Sequence, residues 1–164
     1  MTTKTVTNLT YILEHLTSHK QIVSVAESCT GGYLSYLLTT LPGSSTTFSQ
    51  GFVTYSNTSK IGSLHIKKED IEKLGAVSPE IAILMAQQVK EITHSTFGIG
   101  VTGNAGPGIT EKSKQVGEVY FAISSDTETV CYSLTMDGTR DQIRKKSAEQ
   151  TIEQFSAFLK KRAV

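Results

Sequence analysis

The sequence predicts an α/β fold, a three-layer α/β/α sandwich around a mixed, mostly parallel central sheet. Helical and strand patterns alternate through the first two-thirds of the chain, which is typical of parallel strands joined by crossover helices. Two strand patterns then follow one another across a short polar turn, which predicts an antiparallel hairpin. A long amphipathic pattern ends the sequence and predicts a closing helix.

The first half alternates between the two kinds of element. Leu9, Ile12 and Leu16 recur at helical spacing, whereas the run QIVSVA has the composition of a buried strand. Pro42-Gly43 ends the second helix, and the alternating segment FSQGFVTYS predicts the second strand. The predicted helices cover 7–19, 30–40, about 57–64 and about 68–74, and the predicted strands cover 21–26 and 48–56.

The second half carries clear helix-start signals. In Ser78-Pro79-Glu80 the serine caps a helix, the proline fits its first turn, and the carboxylate meets the positive end of the dipole. Thr139 and Gln142 form the capping box of a last helix that runs to about residue 160. Between these helices, TFGIGVTG, VGEVYFAIS and ETVCYSLTM are predicted strands, and SDT joins the last two.

Composition limits the possible functions. The 164 residues fit one domain, 1–164, with 38% apolar and 19% charged residues. A net charge of +1 gives no electrostatic reason to expect nucleic acid or membrane as a partner. The two cysteines, Cys29 and Cys131, form no CxxC pair, and no apolar run reaches 18 residues. We therefore expect a reduced, cytoplasmic protein.

The segment AESCTGG places nucleophile-type side chains at a strand-to-helix junction. Ser28 sits where open α/β sheets bind ligands, and free N–H groups at a helix start attract an anion or a developing oxyanion. Gly31 and Gly32 would let a ligand approach the backbone. The structural alternative is that Ser28 or Thr30 only caps the helix and the glycines pack on the sheet. The segment lacks the glycines of a G-x-S-x-G elbow.

Lys60 is a candidate base, because desolvation can lower a lysine pKa towards neutrality. On spacing alone, a surface lysine at a helix start is favoured. The loop TGNAGPG follows a strand end and offers backbone donors for an anion. We reject a dinucleotide site at Gly98, Gly100 and Gly103, because the first two glycines lie inside a strand pattern.

His15 and His19 have the i, i+4 spacing of a metal pair but no evident third ligand. Surface histidines are therefore expected, and no metal or cofactor is predicted.

Seven short blocks follow one another along nearly the whole chain: AESCTGG, PGSS, GFVTYSN..K, GAVS, TG.AGP, VG.VY and G.RD..R. In this order they resemble the CinA C-terminal domain family, whose enzymes are nicotinamide-nucleotide amidases. The resemblance implies a three-layer α/β/α fold and hydrolysis of nicotinamide mononucleotide to nicotinic acid mononucleotide and ammonia. It also implies a small-molecule nucleotide as the partner, a stand-alone form and a homo-oligomer.

The resemblance assigns roles without a metal. Ser28 would attack the carboxamide carbon, Lys60 would accept the serine proton, and Tyr55 would position or relay that proton. Arg140 would meet the phosphate, whose geometry a guanidinium matches. The oxyanion and substrate-binding set comprises Cys29, Thr30, Gly31, Gly32, Ser44, Thr102, Gly103, Asn104, Ala105 and Gly106.

The sequence departs from the family pattern around one loop, residues 104–115. Asn104 replaces an aliphatic residue, Gly108-Ile109-Thr110 replaces a glycine-rich turn, and Lys114-Gln115 replaces Lys-Pro. If this loop helps to bind the nucleotide, the affinity for the substrate or the choice of substrate differs from that of the family. Two alternatives to the amidase remain: a non-catalytic nucleotide-binding or regulatory module of the same fold, and a hydrolase that uses Cys29.

Overall fold

The computed structural model describes residues 1–109 and 115–163. Its strands are β1 (Val23–Glu27), β2 (Phe48–Val53), β3 (Phe97–Gly103), β4 (Glu118–Ser124) and β5 (Thr129–Thr135). Its helices are α1 (Thr3–Ser18), α2 (Tyr33–Leu38), α3 (Asn57–Leu64), α4 (Lys68–Leu74), α5 (Pro79–Thr93) and α6 (Arg140–Arg162), with a short 3₁₀ turn at Ser44–Thr46.

The five strands form one mixed sheet in the order β2-β1-β3-β4-β5. β1 pairs in parallel with both β2 and β3, whereas β3–β4 and β4–β5 are antiparallel. Four of the five described strands therefore run in one direction, and β4 runs against them. The predicted α/β class, the mixed sheet and the late hairpin are confirmed.

Helices cover both faces of the sheet. On one face, α1, α2 and α6 bury a large apolar cluster that includes Leu16, Leu34 and Phe155 against β1 and β3. On the other face, α5 packs with α3 and α4 around Met85, Leu64 and other aliphatic side chains. The helices therefore bury the central strands β1, β3 and β4, whereas the edge strands β2 and β5 stay partly exposed.

Local signals set most of the helix boundaries. Ser78 Oγ accepts the Ile81 N–H at 3.3 Å, and Pro79 occupies the first turn of α5. α2 starts at Tyr33, three residues later than predicted, because Gly31 and Gly32 have φ values of 57° and 96°. This left-handed backbone suits glycine and delays the helix.

Two glycines of the rejected dinucleotide motif have a packing role in β3. A Cβ at Gly98 would lie 2.1 Å from the Ala86 carbonyl oxygen, and one at Gly100 would lie 2.4 Å from the Ala82 carbonyl oxygen. Both glycines therefore allow α5 to approach β3 closely.

Residues 1–109 and 115–163 contain neither a candidate membrane span nor a candidate metal site. No helix there combines the length and the apolar character of a membrane span. No group of three or more His, Cys, Asp or Glu side chains is arranged to hold a metal ion. His15, in the last turn of α1, and His19, which caps its C-terminus, stack with their ring centroids 4.2 Å apart.

Candidate active site

A cavity of about 560 Å³ opens where β1, β2 and β3 end. This volume falls in the range of small-molecule sites, about 300–1,000 Å³. The parallel direction of the three strands brings residues that are distant in sequence to one edge of the sheet. The cavity is lined by Ser28, Cys29, Tyr55, Asn57, Lys60, Ile71, Glu72, Gly75, Ala76, Val77, Thr102, Gly103, Asn104, Ala105 and Arg140.

Ser28 and Lys60 form a buried pair in this cavity. Lys60 Nζ donates to Ser28 Oγ at 3.2 Å and to the Thr54 carbonyl oxygen at 2.9 Å. Ser28 is 8% exposed, and Lys60 is 1% exposed. The interpretation of Lys60 as a surface lysine is therefore wrong.

Burial controls the charge of Lys60. Within the described part of the chain, no carboxylate oxygen lies within 4.0 Å of its amine. Desolvation therefore lowers the pKa of Lys60 from 10.5 to about 8, with a small opposing effect of Cys29. With this pKa about a tenth of the amine is neutral at pH 7 and about half at pH 8, and the neutral form is the one that can accept a proton.

The backbone around Lys60 fixes the direction of its side chain. Ser56 caps α3, because its Oγ accepts the Ser59 N–H at 3.0 Å, and the Ser59 hydroxyl reaches back to the Ser56 N–H at 3.1 Å. Lys60 thus lies in the first turn of α3 and points back towards the end of β2, where it meets the Thr54 carbonyl.

Cys29 lines the cavity next to Ser28 but is a poor nucleophile. Its side chain is 4% exposed. Burial raises the pKa of the Cys29 thiol from 9.0 to about 12. The thiol is therefore protonated at neutral pH, and thiolate is the nucleophilic form of cysteine.

Glu27, which the sequence analysis did not assign, accounts for the start of α2. Its carboxylate is fully buried. It accepts the N–H groups of Gly32, Leu34 and Ser35 at 3.1, 3.0 and 2.8 Å, and the hydroxyls of Thr30 and Ser35 at 2.6 Å each. A side-chain acceptor from the preceding strand thus takes the donors that were expected to be free.

This arrangement corrects the predicted roles of Thr30, Gly31 and Gly32, none of which lines the cavity. The Gly32 N–H and the Thr30 hydroxyl are donated to Glu27, and the Gly31 N–H is donated to the Ser28 carbonyl oxygen at 3.0 Å. A Cβ at Gly31 would lie 2.7 Å from Arg144 Nη2, so this glycine admits an arginine side chain rather than a ligand.

Ser44 is also away from the cavity. It lies in the 3₁₀ turn before β2 and borders a small apolar space beside Leu9, Leu38 and Leu41. Its assignment to the substrate-binding set is corrected, because the turn packs at the opposite end of β2 from Tyr55.

The loop after β3 supplies the facing wall. Thr102 Oγ1 donates to the Ala76 carbonyl oxygen at 2.6 Å. Asn104 shapes the loop from within, because its Oδ1 accepts the Gly106 N–H at 2.9 Å and its Nδ2 donates to the Gly108 carbonyl oxygen at 2.8 Å. Gly103 and Ala105 line the cavity, and residues 110–114 of the altered loop lie outside the described residues.

Among the backbone N–H groups at the cavity for which residues 1–109 and 115–163 provide no backbone acceptor, two lie beside the Ser28–Lys60 pair or face it. They belong to Cys29, directly after Ser28, and to Ala105 on the facing loop. Backbone donors in these places suit an oxyanion better than those of α2, which Glu27 already binds.

Tyr55 and Arg140 lie together at the cavity. Arg140 Nη2 donates to the Tyr55 hydroxyl, and Nη1 donates to the Gly106 carbonyl oxygen at 2.5 Å. Among the described residues, the Tyr55 hydroxyl has no hydrogen bond to Ser28 or Lys60, so this geometry does not include the expected proton relay. Gly106 thereby contributes a carbonyl that holds Arg140.

No pattern in the sequence identifies the other residues that line the cavity. Asn57, Ile71, Glu72 and the segment 75–77 reach the cavity through the packing of α3, α4 and the α4–α5 loop. Thr54 acts through its carbonyl oxygen, which its side-chain type does not predict. Glu27 ends β1 and lies five positions before Gly32, the N-cap of α2, so no local capping pattern in the sequence points to it.

Comparison of sequences connects this site to known proteins. The sequence model of the CinA C-terminal domain matches residues 7–159. A CinA-like protein of Acidobacterium capsulatum is 41% identical over 142 residues, which cover 87% of this chain and 34% of that protein. A CinA-like protein of Fervidobacterium nodosum is 43% identical over 136 residues, covering 83% and 33%. The chain therefore spans about a third of the length of the curated relatives that it matches.

Solved structures agree with the fold. The competence/damage inducible protein CihA of Agrobacterium tumefaciens superposes with a TM-score of 0.90 at 32% identity, covering 96% of each chain. A competence-damaged protein (CinA) superfamily protein of Enterobacter cloacae gives a TM-score of 0.92 at 24% identity, covering 97% of this chain and 94% of that one, which shows a shared fold.

Proposed function

Because the chain belongs to the CinA C-terminal domain family, we propose that residues 1–164 form an amidase domain acting on nicotinamide mononucleotide. The reaction adds water to the carboxamide and yields nicotinic acid mononucleotide and ammonia. The observation that carries the proposal is the buried Ser28–Lys60 pair, with 3.2 Å between hydroxyl oxygen and amine nitrogen. The substrate is inferred from the family, and the reaction mechanism is inferred from the Ser28–Lys60 pair.

The first half of the reaction uses Lys60 as base and then as acid. The neutral amine takes the Ser28 proton while Oγ bonds to the carboxamide carbon. The N–H groups of Cys29 and Ala105 would stabilise the oxyanion, and one such donor is worth about 3–4 kcal/mol. Lys60 then returns the proton to the departing nitrogen, and ammonia leaves an ester on Ser28.

The second half repeats these steps with water. Water attacks the ester carbon, Lys60 accepts its proton, and the proton returns to Ser28 as the carboxylic acid product leaves. A cationic pyridinium ring in the substrate makes the carbonyl carbon more electrophilic and disfavours protonation of a nearby lysine. Arg140 would bind the phosphate, and what supports this role is a guanidinium that lines the cavity beside Tyr55.

The alternative nucleophile is less well supported. Cys29 shares the cavity, but its thiol is buried and its pKa is raised to about 12. Ser28, in contrast, contacts a base directly. A nucleophile needs a group that takes its proton, so the serine is the better candidate.

The test is ammonia release from nicotinamide mononucleotide. We expect turnover by the unaltered protein, none by Ser28→Ala, and a loss of about 10²–10⁴-fold for Lys60→Met, which keeps an unbranched side chain but lacks the amine. Lys161→Met, in the exposed last turn of α6, serves as the control.

Tight binding of the nucleotide without ammonia release would favour the regulatory-module alternative. Loss of activity in Cys29→Ser with retention in Ser28→Ala would favour the cysteine hydrolase. The homo-oligomer and the cytoplasmic location remain predictions.

A further inference from the structure

Glu27 is a fully buried carboxylate whose described partners are neutral. No nitrogen of a Lys, Arg or His side chain lies within 4.0 Å of it among residues 1–109 and 115–163. Five hydrogen bonds, all from residues 30–35, hold it instead. A buried charge is tolerated when several donors satisfy it, and breaking such a set is costly.

These bonds close a loop around the nucleophile. Glu27 ends β1, Ser28 follows it, and the chain returns at once to place the first turn of α2 on the Glu27 carboxylate. Oε2 accepts from Thr30, Gly32 and Leu34, while Oε1 accepts both donors of Ser35. The turn that carries Ser28 and Cys29 is therefore anchored on both sides by one residue.

The backbone of Glu27 extends this anchor to the base. Its carbonyl oxygen accepts the Thr54 N–H at 2.8 Å. The Thr54 carbonyl oxygen in turn accepts Lys60 Nζ at 2.9 Å. Glu27 thus connects the segment that presents Ser28 to the segment that orients Lys60.

We infer that Glu27 is a positioning residue of this site, whose buried carboxylate fixes the distance between Ser28 and Lys60 by anchoring the 28–32 turn. The inference rests on the proposed amidase function for its kinetic consequence. It does not rest on that function for its structural consequence, which is that Cys29 stays shielded while the turn is held.

Glu27→Gln is the direct test, because glutamine matches the shape but has a single acceptor oxygen. At least one backbone N–H of the α2 start then loses its acceptor, and the turn moves. A displacement of about 1 Å at a reacting group costs about 10²-fold in rate. We expect kcat to fall by about that factor while KM changes less than about threefold, because the cavity residues that bind substrate remain.

The second readout is alkylation of Cys29 by iodoacetamide in the native protein, followed by peptide mass spectrometry. Loss of the anchor exposes the thiol, and loss of the neighbouring negative charge favours its thiolate, so we expect reaction about tenfold faster or more. Cys131, in β5, is the internal reference and should keep its rate.

Two further variants separate positioning from general destabilisation. Ser35→Ala removes one donor to Glu27 Oε1 and should change kcat and Cys29 alkylation in the same directions, by smaller factors. Ser35→Ala also takes the place of Glu27→Gln as the test variant if Glu27→Gln does not fold. Phe155→Leu loosens the core beneath α6 and should lower the melting temperature while leaving kcat and Cys29 alkylation close to those of the unaltered protein.

The inference is overturned if Glu27→Gln keeps both the kcat and the Cys29 protection of the unaltered protein. It is also overturned if Phe155→Leu changes kcat and Cys29 alkylation as much as Glu27→Gln does. If the unaltered protein releases no ammonia, the proposed function fails. The alkylation rates of Glu27→Gln and Ser35→Ala then still decide whether Glu27 holds the turn.

Discussion

Ser28 Oγ and Lys60 Nζ lie 3.2 Å apart, although 32 positions separate the two residues in the sequence. The distance results from the parallel pairing of β1 with β2, which brings the ends of both strands to one edge of the sheet. The lysine is fully enclosed there, so its charge costs free energy and its amine is readily deprotonated.

The pH dependence of turnover should report this lysine. With the Lys60 pKa at about 8, we expect kcat/KM for nicotinamide mononucleotide to rise about tenfold per pH unit below that pH and to level off above it. The rise occurs because the neutral amine is the active form. The residual activity of Lys60→Met should lack this inflection. A profile that is flat from pH 6 to pH 9 would contradict the role of Lys60 as base.

Replacing Lys60 should stabilise the fold at neutral pH. The folded state binds the Lys60 proton less tightly than the unfolded chain, with a pKa of about 8 against 10.5. Between these values the unfolded state holds more protons, so stability rises with pH, and below about 8 the full cost of the buried charge is present. Lys60→Met removes that cost, which we put at up to about 3 kcal/mol.

The stability difference between Lys60→Met and the unaltered protein should shrink by about 1 kcal/mol between pH 8 and pH 9. Urea unfolding at both pH values measures it. Taking the difference between the two proteins cancels groups with raised pKa values, such as Cys29 and Tyr120, which act in the opposite direction at alkaline pH. A constant difference would show that Lys60 is not desolvated.

Arg140 should distinguish phosphorylated from unphosphorylated substrate. Hydrogen bonds to a charged group are worth about 1.5–3 kcal/mol, so Arg140→Gln should raise KM for nicotinamide mononucleotide about 10- to 100-fold. The value for nicotinamide riboside, which lacks the phosphate, should change little. Arg162→Gln, at the far end of α6, is the control. An equal rise in KM for both substrates would indicate that Arg140 holds Tyr55 and Gly106 in place and does not bind the phosphate.

Two glycine substitutions test the packing of α5 on β3. Gly100→Ala places a methyl group 2.4 Å from the Ala82 carbonyl oxygen and 2.5 Å from the Ala86 nitrogen, so we expect it to destabilise the protein by about 1–3 kcal/mol. Gly62→Ala, in α3 with open space around it, should stabilise by about 0.5–1 kcal/mol. Thermal unfolding compares them, and a neutral Gly100→Ala would contradict this account of β3.

Local signals were sufficient for most of the elements. α3 and α4 occupy 57–64 and 68–74 as predicted, and the Ser78 and Thr139 caps start α5 and α6. Each of these features depends on hydrogen bonds between residues a few positions apart, which a sequence displays directly. The start of α2 was misplaced because its cap comes from Glu27, in the strand before it.

The sequence by itself determined the fold class, the family blocks and the candidate nucleophile, because periodicity and short-range chemistry are written along the chain. Tertiary structure alone decided that Lys60 is buried against Ser28. It also decided that Glu27 accepts the free N–H groups at the start of α2 and that Ser44 lies away from the cavity. Burial and contact across the sheet depend on which strand ends meet, and one-dimensional spacing does not contain that information.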